Sequence, residues 1–387
     1  MKTCRSCNGN NLSRIMSYGN MPLANSLLDT RNPVDEKFYP LELYFCDECA
    51  LVQIGETVDP KLLFQDYAYF SSCSDTILKK AKRLVDKVVE VYNSETVVEI
   101  ASNDGYLLQY YPDSVQAVGV DPAENIAKIA NEKGILTIPE FFSFEFAKDM
   151  KRNFLKVDVI HAHNVLAHVA DLNDFVAGVE YLLDKDGVFI IEVPYVKNMI
   201  EETLFDTVYH EHLCYFSLTA LTNLLRNHNM MIDHYETLQV HGGSLRVYAK
   251  KPWLFDEYPD EEEEAGMGEL SYYCDFQDRV NIIESNLRSV MSALRPASIA
   301  GVGASAKGNV LLNYCDIEVD YIGDNIPRKQ GLFTPGKHIP IVSMDEMMKR
   351  NPDYILILAW NHAEEIMKKL SGFDGHFIVP IPEVKII

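Results

Sequence analysis

The stretch that most constrains the fold is Thr96-Val-Val-Glu99-Ile-Ala101-Ser-Asn103-Asp104-Gly105-Tyr106-Leu-Leu. An apolar, β-branched run ends near a carboxylate, a small polar turn closes at Gly105, and a leucine-rich pattern follows. That order reads as strand, tight loop and helix. It is the opening βα unit of a doubly wound sheet, where ligands sit outside the carboxyl ends of the strands. Ala101 and Asn103 stand where a dinucleotide loop carries glycine, so a pyrophosphate cradle is disfavoured. A second strand, from Val115, ends in Asp121, 22 positions after Glu99. At that spacing an acidic residue holds the ribose hydroxyls of an adenosine. Two carboxylates around a phosphate-free loop suit S-adenosylmethionine, whose amino and sulfonium groups favour nearby oxygens. The plainer alternative is an ordinary βα turn with Asp121 as a turn residue, and the tandem arrangement weighs against it.

A chain of 387 residues exceeds one compact core, so two or three domains are expected. A net charge of -22 argues against a general nucleic-acid surface and against an anionic membrane, because both require basic patches. No apolar run reaches the length of a spanning helix and the first residues lack an apolar signal core, so a cytoplasmic protein is expected. In such a compartment paired cysteines point to metal rather than disulfides. Cys4-x-x-Cys7 and Cys46-x-x-Cys49 are two knuckles that together close a four-thiolate shell around a structural Zn2+.

The expected domains are a zinc-binding unit over 1–75, a methyltransferase unit over 76–255 and a smaller Rossmann-like α/β unit over 256–387, led by a linker helix from Glu269 to Leu294. Polar and aromatic residues at 19–25 and 67–74, including Asn25, Tyr69 and Ser72, read as loops lining a cleft or simply packing on the sheet. A helix over 75–90 leads into the sheet. Later strands end near Phe141 and Phe142, and near Asn164 and His168, where side chains face the cofactor. A hairpin around 240–243 closes the sheet, giving the class I methyltransferase order. The acidic run 258–264 reads as a solvated turn. At the C-terminal unit Gly301-x-Gly303, Lys307, Asn309 and Asp324 suit a phosphate or, as a rival, a nicotinamide nucleotide.

Tyr209-His210-Glu211-His212 follows the fifth strand of the central unit. On an extended segment the two histidines face one way and Glu211 the other. A histidine removes protons near neutral pH, and a tyrosine or carboxylate fixes its tautomer. The bland alternative is a pair of hydrogen-bonded histidines stabilising a loop.

The chain resembles the nucleotide-sugar C-methyltransferases of the mycarose and tetronitrose 3-C-methyltransferase group. The resemblance runs nearly full length and rests on seven motifs in order: the doubled C-x-x-C, Glu99 to Gly105, Asn164 to Val169, Tyr209 to Ser217, His241 to Arg246, Gly303 to Asn309, and Ala359-Trp360-Asn361. It implies a zinc domain, a central S-adenosylmethionine domain and a C-terminal domain that helps hold the nucleotide sugar, in a monomer. The substrate implied is a 4-keto-6-deoxy sugar linked to a nucleoside diphosphate such as dTDP and methylated at C3. His212 matches the family's proposed base; Tyr209 and His210 are expected to stabilise the enolate and Glu211 to orient the imidazole. Glu99, Ala101, Asn103, Gly105, Tyr106, Asp121, Phe141, Phe142, Asn164 and His168 are the expected cofactor contacts. Tyr69, Ser72, Lys307 and Asn309 are the expected substrate contacts. Ala101 departs from a glycine common in related loops, and its methyl is small enough for binding to survive. The rivals are an O- or N-methyltransferase of a similar sugar, a non-catalytic nucleotide-sugar-binding protein, and a dehydrogenase using the C-terminal glycines.

Overall fold

The protein is described here by a computed structural model covering residues 3–33, 35–64, 70–73, 75–153, 156–238, 242–252 and 260–387. Tyr69, Ser74 and His241 lie outside the described residues. The N-terminal unit is an antiparallel sheet of β1 (Leu12–Pro22), β2 (Phe38–Cys46) and β3 (Val52–Ile54). The central unit contributes β4 (Thr96–Ile100), β5 (Gln116–Val120), β6 (Thr137–Ile138), β7 (Val159–His163) and β8 (Val188–Pro194), all parallel. After them come β9 (Cys214–Tyr215), β10 (Met231–Leu238) and β11 (Ser244–Lys250).

The central order is β10-β11-β8-β7-β4-β5-β6, with β11 antiparallel to both of its neighbours. Chain direction across the sheet reverses between β4 and β7, so the switch point lies above Glu99 and the residues after His163. The expected hairpin and the helix Asp75–Val91 are both present. The third sheet runs β14-β13-β12-β15-β16-β17. Its strands are β12 (Ile299–Val302), β13 (Tyr321–Asp324), β14 (Ile341–Ser343), β15 (Tyr354–Ile357), β16 (His376–Val379) and β17 (Lys385–Ile386), the last antiparallel. The described elements form a class I methyltransferase fold with a Rossmann-like centre between two smaller units. One apolar core cluster draws residues from all three sheets.

The N-terminal sheet is not self-contained. Its fourth strand is β9, which pairs with β3 through Val52↔Tyr215 and Gln53↔Cys214. The segment that carries Tyr209 to His212 is therefore stitched into the cysteine-bearing unit.

Each cysteine knuckle closes in the same way. The Asn8 amide donates to the Cys4 carbonyl and the Ala50 amide to the Cys46 carbonyl, with Asn8 and Ala50 both at positive φ. The four sulfurs lie within 4.8 Å of one another. Tetrahedral zinc with bonds of about 2.3 Å needs sulfurs roughly 3.8 Å apart, so the donor set fits a closed zinc shell.

The acidic run is a correction. Asp260–Glu264 is helical and Glu262 is buried, accepting from Tyr195 Oη, the amides of Leu218 and Thr219, and Thr219 Oγ1 at 2.7 to 2.8 Å. A carboxylate there satisfies free amides at the amino end of the helix Leu218–Arg226 and complements its dipole. The sequence alone shows five consecutive acidic positions, Asp260 to Glu264, and no sign that one turns inward.

In the β4 loop, Ala101 (φ 55°), Asn103 (φ 50°) and Gly105 (φ 78°) are all left-handed. The backbone thus keeps a glycine-rich path with only one glycine in it. A left-handed alanine costs roughly 1–2 kcal/mol, partly offset because glycine loses more freedom on folding. Ala101→Gly is expected to raise the unfolding free energy by up to about 1 kcal/mol, whereas Gly105→Ala, whose Cβ would sit 2.4 Å from Ile135 Cδ1, should lower it by about 1–2 kcal/mol. Denaturant titration of the two variants checks both signs. Cys46→Ser is expected to release the zinc measured by elemental analysis and to lower Tm by roughly 2–3 °C, the scale of a loss of about 2 kcal/mol in a chain of this size.

Candidate active site

Glu99 ends its strand fully buried. Neither carboxylate oxygen has a hydrogen bond of normal geometry. Burial pushes the carboxyl well above the usual range, while Tyr106 draws it down. An unpaired carboxylate at a sheet's switch point is a place for a cation, which is what the ammonium and sulfonium of S-adenosylmethionine offer. Asp121 lies one strand over. Its Oδ2 accepts from the Asn103 amide and its Oδ1 from the Ala123 amide, each at 2.9 Å, leaving further lone pairs for a ribose. Asn103 also accepts from the Ser71 amide at 2.8 Å. Asp104 binds Lys133 at 2.9 Å as well as both the amide and hydroxyl of Ser72. Ser72 is thereby tied to the cofactor loop, and no free hydroxyl of it faces a sugar. Phe141 is exposed, and Phe142 packs edge-on against Phe146 and Phe175.

Beyond β7, Asn164 is left-handed and its amide donates to the Glu192 carbonyl. The next turn, Leu166–His168, meets the segment after β8: the Leu213 amide donates to the Ala167 carbonyl, and the His168 ring lies 4.9 Å from that of His212. His212 therefore sits beside the carboxyl end of β7, next to β4, at the mouth of the cleft.

Its surroundings differ from the expected strand. The His212 amide donates to the Tyr209 carbonyl, so 209–212 is a turn, and the two histidines diverge. His212 Nδ1 is 3.0 Å from the Thr207 carbonyl and Nε2 is 2.8 Å from Tyr209 Oη. A carbonyl only accepts, so Nδ1 carries the hydrogen and Nε2 presents its lone pair to the phenol. His210 points elsewhere, 3.3 Å from the Pro40 carbonyl and edge-on to Tyr39, which removes it from the reacting side. Glu211 does not orient the imidazole. Its Oε1 accepts from Asn25 Nδ2 at 2.7 Å, and its backbone carbonyl lies 2.7 Å from His168 Nδ1. Thr207 orients His212 instead, a backbone role that residue types do not announce.

The C-terminal unit reaches the same place. Lys307, in the first turn of the helix Ala306–Tyr314, is half-buried over the Trp360 ring, 5.2 Å from its centroid, and desolvation lowers its pKa while Asp206 raises it. Asn309 is not available to a diphosphate through its amide nitrogen: Nδ2 donates to the Ala24 carbonyl at 2.7 Å, fastening the loop that brings Asn25 to Glu211. Gly301 lies within β12 and would clash with Ile322 and Leu358 if it carried a Cβ, so it serves packing.

Three family models match in chain order: a zinc binding domain over residues 4–64, a methyltransferase domain over 70–235, and a C-methyltransferase C-terminal domain over 239–382. The C-methyltransferase NovU of Streptomyces niveus is 35% identical over 405 residues, covering 99% of this chain and 96% of that protein. Among solved structures, an S-adenosylmethionine-dependent methyltransferase from Clostridium acetobutylicum is similar at 14% identity and a TM-score of 0.38, covering 45% of this chain and 92% of that one. Another from Archaeoglobus fulgidus is similar at 13% identity and a TM-score of 0.38, covering 45% and 94%. With four clustered thiolates, the switch-point carboxylate and this full-length relative together, the chain belongs to the C-methyltransferase family and is an S-adenosylmethionine-dependent methyltransferase with a zinc-binding N-terminal domain.

Proposed function

We propose that this enzyme methylates C3 of a 4-keto-6-deoxy sugar carried on a nucleoside diphosphate, through an enolate made by its own base. The observation that carries the reading is the fixed tautomer of His212, which leaves Nε2 as a proton acceptor at the mouth of the cofactor cleft. Carbon becomes nucleophilic only when a proton is lost beside a carbonyl, and a neutral imidazole is suited to that task. S-adenosylmethionine, when bound, supplies an electrophilic methyl on a sulfonium. Glu99 and Asp121 would hold the cofactor, with the loop of Ala101, Asn103, Gly105 and Tyr106 around it and Asn164 and His168 beside the switch point. His212 Nε2 takes the C3 proton once the Tyr209 hydroxyl has turned from Nε2 to the ketone oxygen of the sugar. Tyr209 gives its hydroxyl hydrogen bond to the developing enolate oxygen, where a positioned donor is worth most. Lys307, with the amino end of its helix, receives the diphosphate.

Glu211 takes a different part from orienting the imidazole. Burial raises its carboxyl to about 7 against the Asn25 hydrogen bond, so near neutrality part of the population is protonated and donates to the sugar. Because the folded value lies above the unfolded one, the associated stability is present below pH 4.5 and is lost as pH rises through about 7.

In D2O without cofactor, the wild-type enzyme is expected to exchange the C3 hydrogen of dTDP-4-keto-6-deoxy sugars, read by NMR. His212→Gln should slow exchange and methyl transfer by roughly 10²–10⁴-fold with cofactor binding retained. Methyl transfer to oxygen or nitrogen without such exchange would replace this reading with an O- or N-methyltransferase. Glu211→Gln is expected to stabilise the fold by up to about 3 kcal/mol at pH 8 and little at pH 4.5, measured by denaturant titration at the two pH values.

A further inference from the structure

The tautomer of His212 depends on one carbonyl, and that carbonyl belongs to a weak element. Thr207 ends the isolated 3₁₀ turn Phe205–Thr207, which has no side-chain cap. A single such turn has poor hydrogen-bond geometry and little stability of its own. Among the described residues, two side-chain hydrogen bonds from outside the central unit hold it, and the Phe205 ring packs 5.3 Å from that of Tyr314. Tyr18 Oη, on β1, donates to the Phe205 carbonyl at 2.9 Å. Trp360 Nε1, after β15, donates to Asp206 Oδ2 at 2.6 Å across 154 positions of sequence.

Asp206 is an expensive choice for mere adhesion. It is fully buried and Oδ1 has no hydrogen-bond partner. Burial raises its carboxyl, while Lys307 and Trp360 pull it down. Exchanging a buried charged contact for apolar packing is commonly neutral or stabilising, so what the carboxylate adds is geometry. The adjoining residue is the one whose carbonyl faces the imidazole.

We propose that Asp206 and Trp360 are positioning residues for His212: by anchoring the 205–207 turn to the C-terminal unit they fix the Thr207 carbonyl, and through it the tautomer whose Nε2 accepts a proton. The inference deepens the assignment of His212 as base and rests on it for its functional meaning. It gives the C-terminal unit a part in the chemistry besides holding substrate. Neither residue acts on the reacting atoms; both act through Thr207.

The test uses the full-length zinc-loaded protein carrying ¹⁵N-labelled histidine, observed by two-bond proton–nitrogen correlation without substrate or cofactor. The His212 signals are those that vanish in His212→Gln, among 11 histidines. The wild-type protein is expected to give a single Nδ1–H pattern. Trp360→Phe keeps the aromatic packing and removes the donor; Asp206→Leu keeps a similar size and removes the acceptor. In each, the single pattern should be lost to a mixture of tautomers while the melting temperature stays within a few degrees. An unchanged Nδ1–H pattern in a folded variant overturns the proposal. Should one variant fail to fold, the other decides, and collapse of both overturns it in favour of a purely structural pair. If the tautomers respond as expected but His212→Gln still transfers methyl groups, the base assignment fails and the positioning contact stands.

Discussion

The short pairing between β3 and β9 is the constraint on which the site rests. Residues 203–216 contain a 3₁₀ turn, a four-residue turn and a two-residue strand, and none of these is stable alone. Their hydrogen bonds are borrowed: from Gln53 and Val52 in the cysteine-bearing sheet, from Ala167 in the central unit and from Trp360 in the C-terminal one. A loop assembled this way depends on all three units being in place. The zinc shell is therefore remote from the chemistry but not independent of it, because it sets the sheet that receives β9.

The buried carboxylates divide according to how well they are satisfied. Glu262 has four donors and caps a helix. Glu192, largely desolvated but not fully enclosed, is held down at about 2 by His163 and Arg246. That pair continues a polar row in which Tyr111 Oη meets His161 at 2.7 Å and His161 meets His163 at 3.0 Å. Glu99 and Glu211 are different: burial raises both carboxyls, with little compensation. An unpaired buried carboxylate costs several kcal/mol unless it takes up a proton or meets a cation. Under the proposed function, a cationic cofactor beside Glu99 would offset that cost.

What could be read from the sequence follows from how local each signal is. The cysteine knuckles, Glu99 and Asp121 are set by short spacings along strands and turns, and the fold presents them where those spacings imply. The turn at 209–212 was not legible, because Tyr-His-Glu-His carries no glycine or proline and alternates as well as any strand. Glu211 and Asn309 were misassigned for another reason: their partners, Asn25 and the Ala24 carbonyl, are 186 and 285 positions away. The stretch 19–25 reads as a loop, but residues 19–22 continue β1, and only beyond Pro22 does the chain turn to bring Asn25 to Glu211. Asp206 and Thr207 offered no signal, one being a lone acid and the other acting through its backbone.

The two βα units of the chain show how one backbone solution yields different sites. Asp121 accepts from the amides of Asn103 and Ala123; Asp324 accepts from those of Ala304 and Ile326, again one amide in the preceding loop and one two residues on. The equivalence explains why the sequence suggested a nucleotide at both. Around Asp324, however, Lys329 donates to the Ala304 carbonyl at 2.7 Å and lies 3.6 Å from the carboxylate. A ribose would have to displace an ammonium that already compensates the acid, and Gly303 has Ala359 packed against the face where a Cβ would project. Among the described residues, no lysine or arginine pairs with Asp121. The same aspartate is thus a closed internal clasp in one unit and an open acceptor in the other, and the difference of a single lysine leaves the central cleft as the one suited to an adenosine.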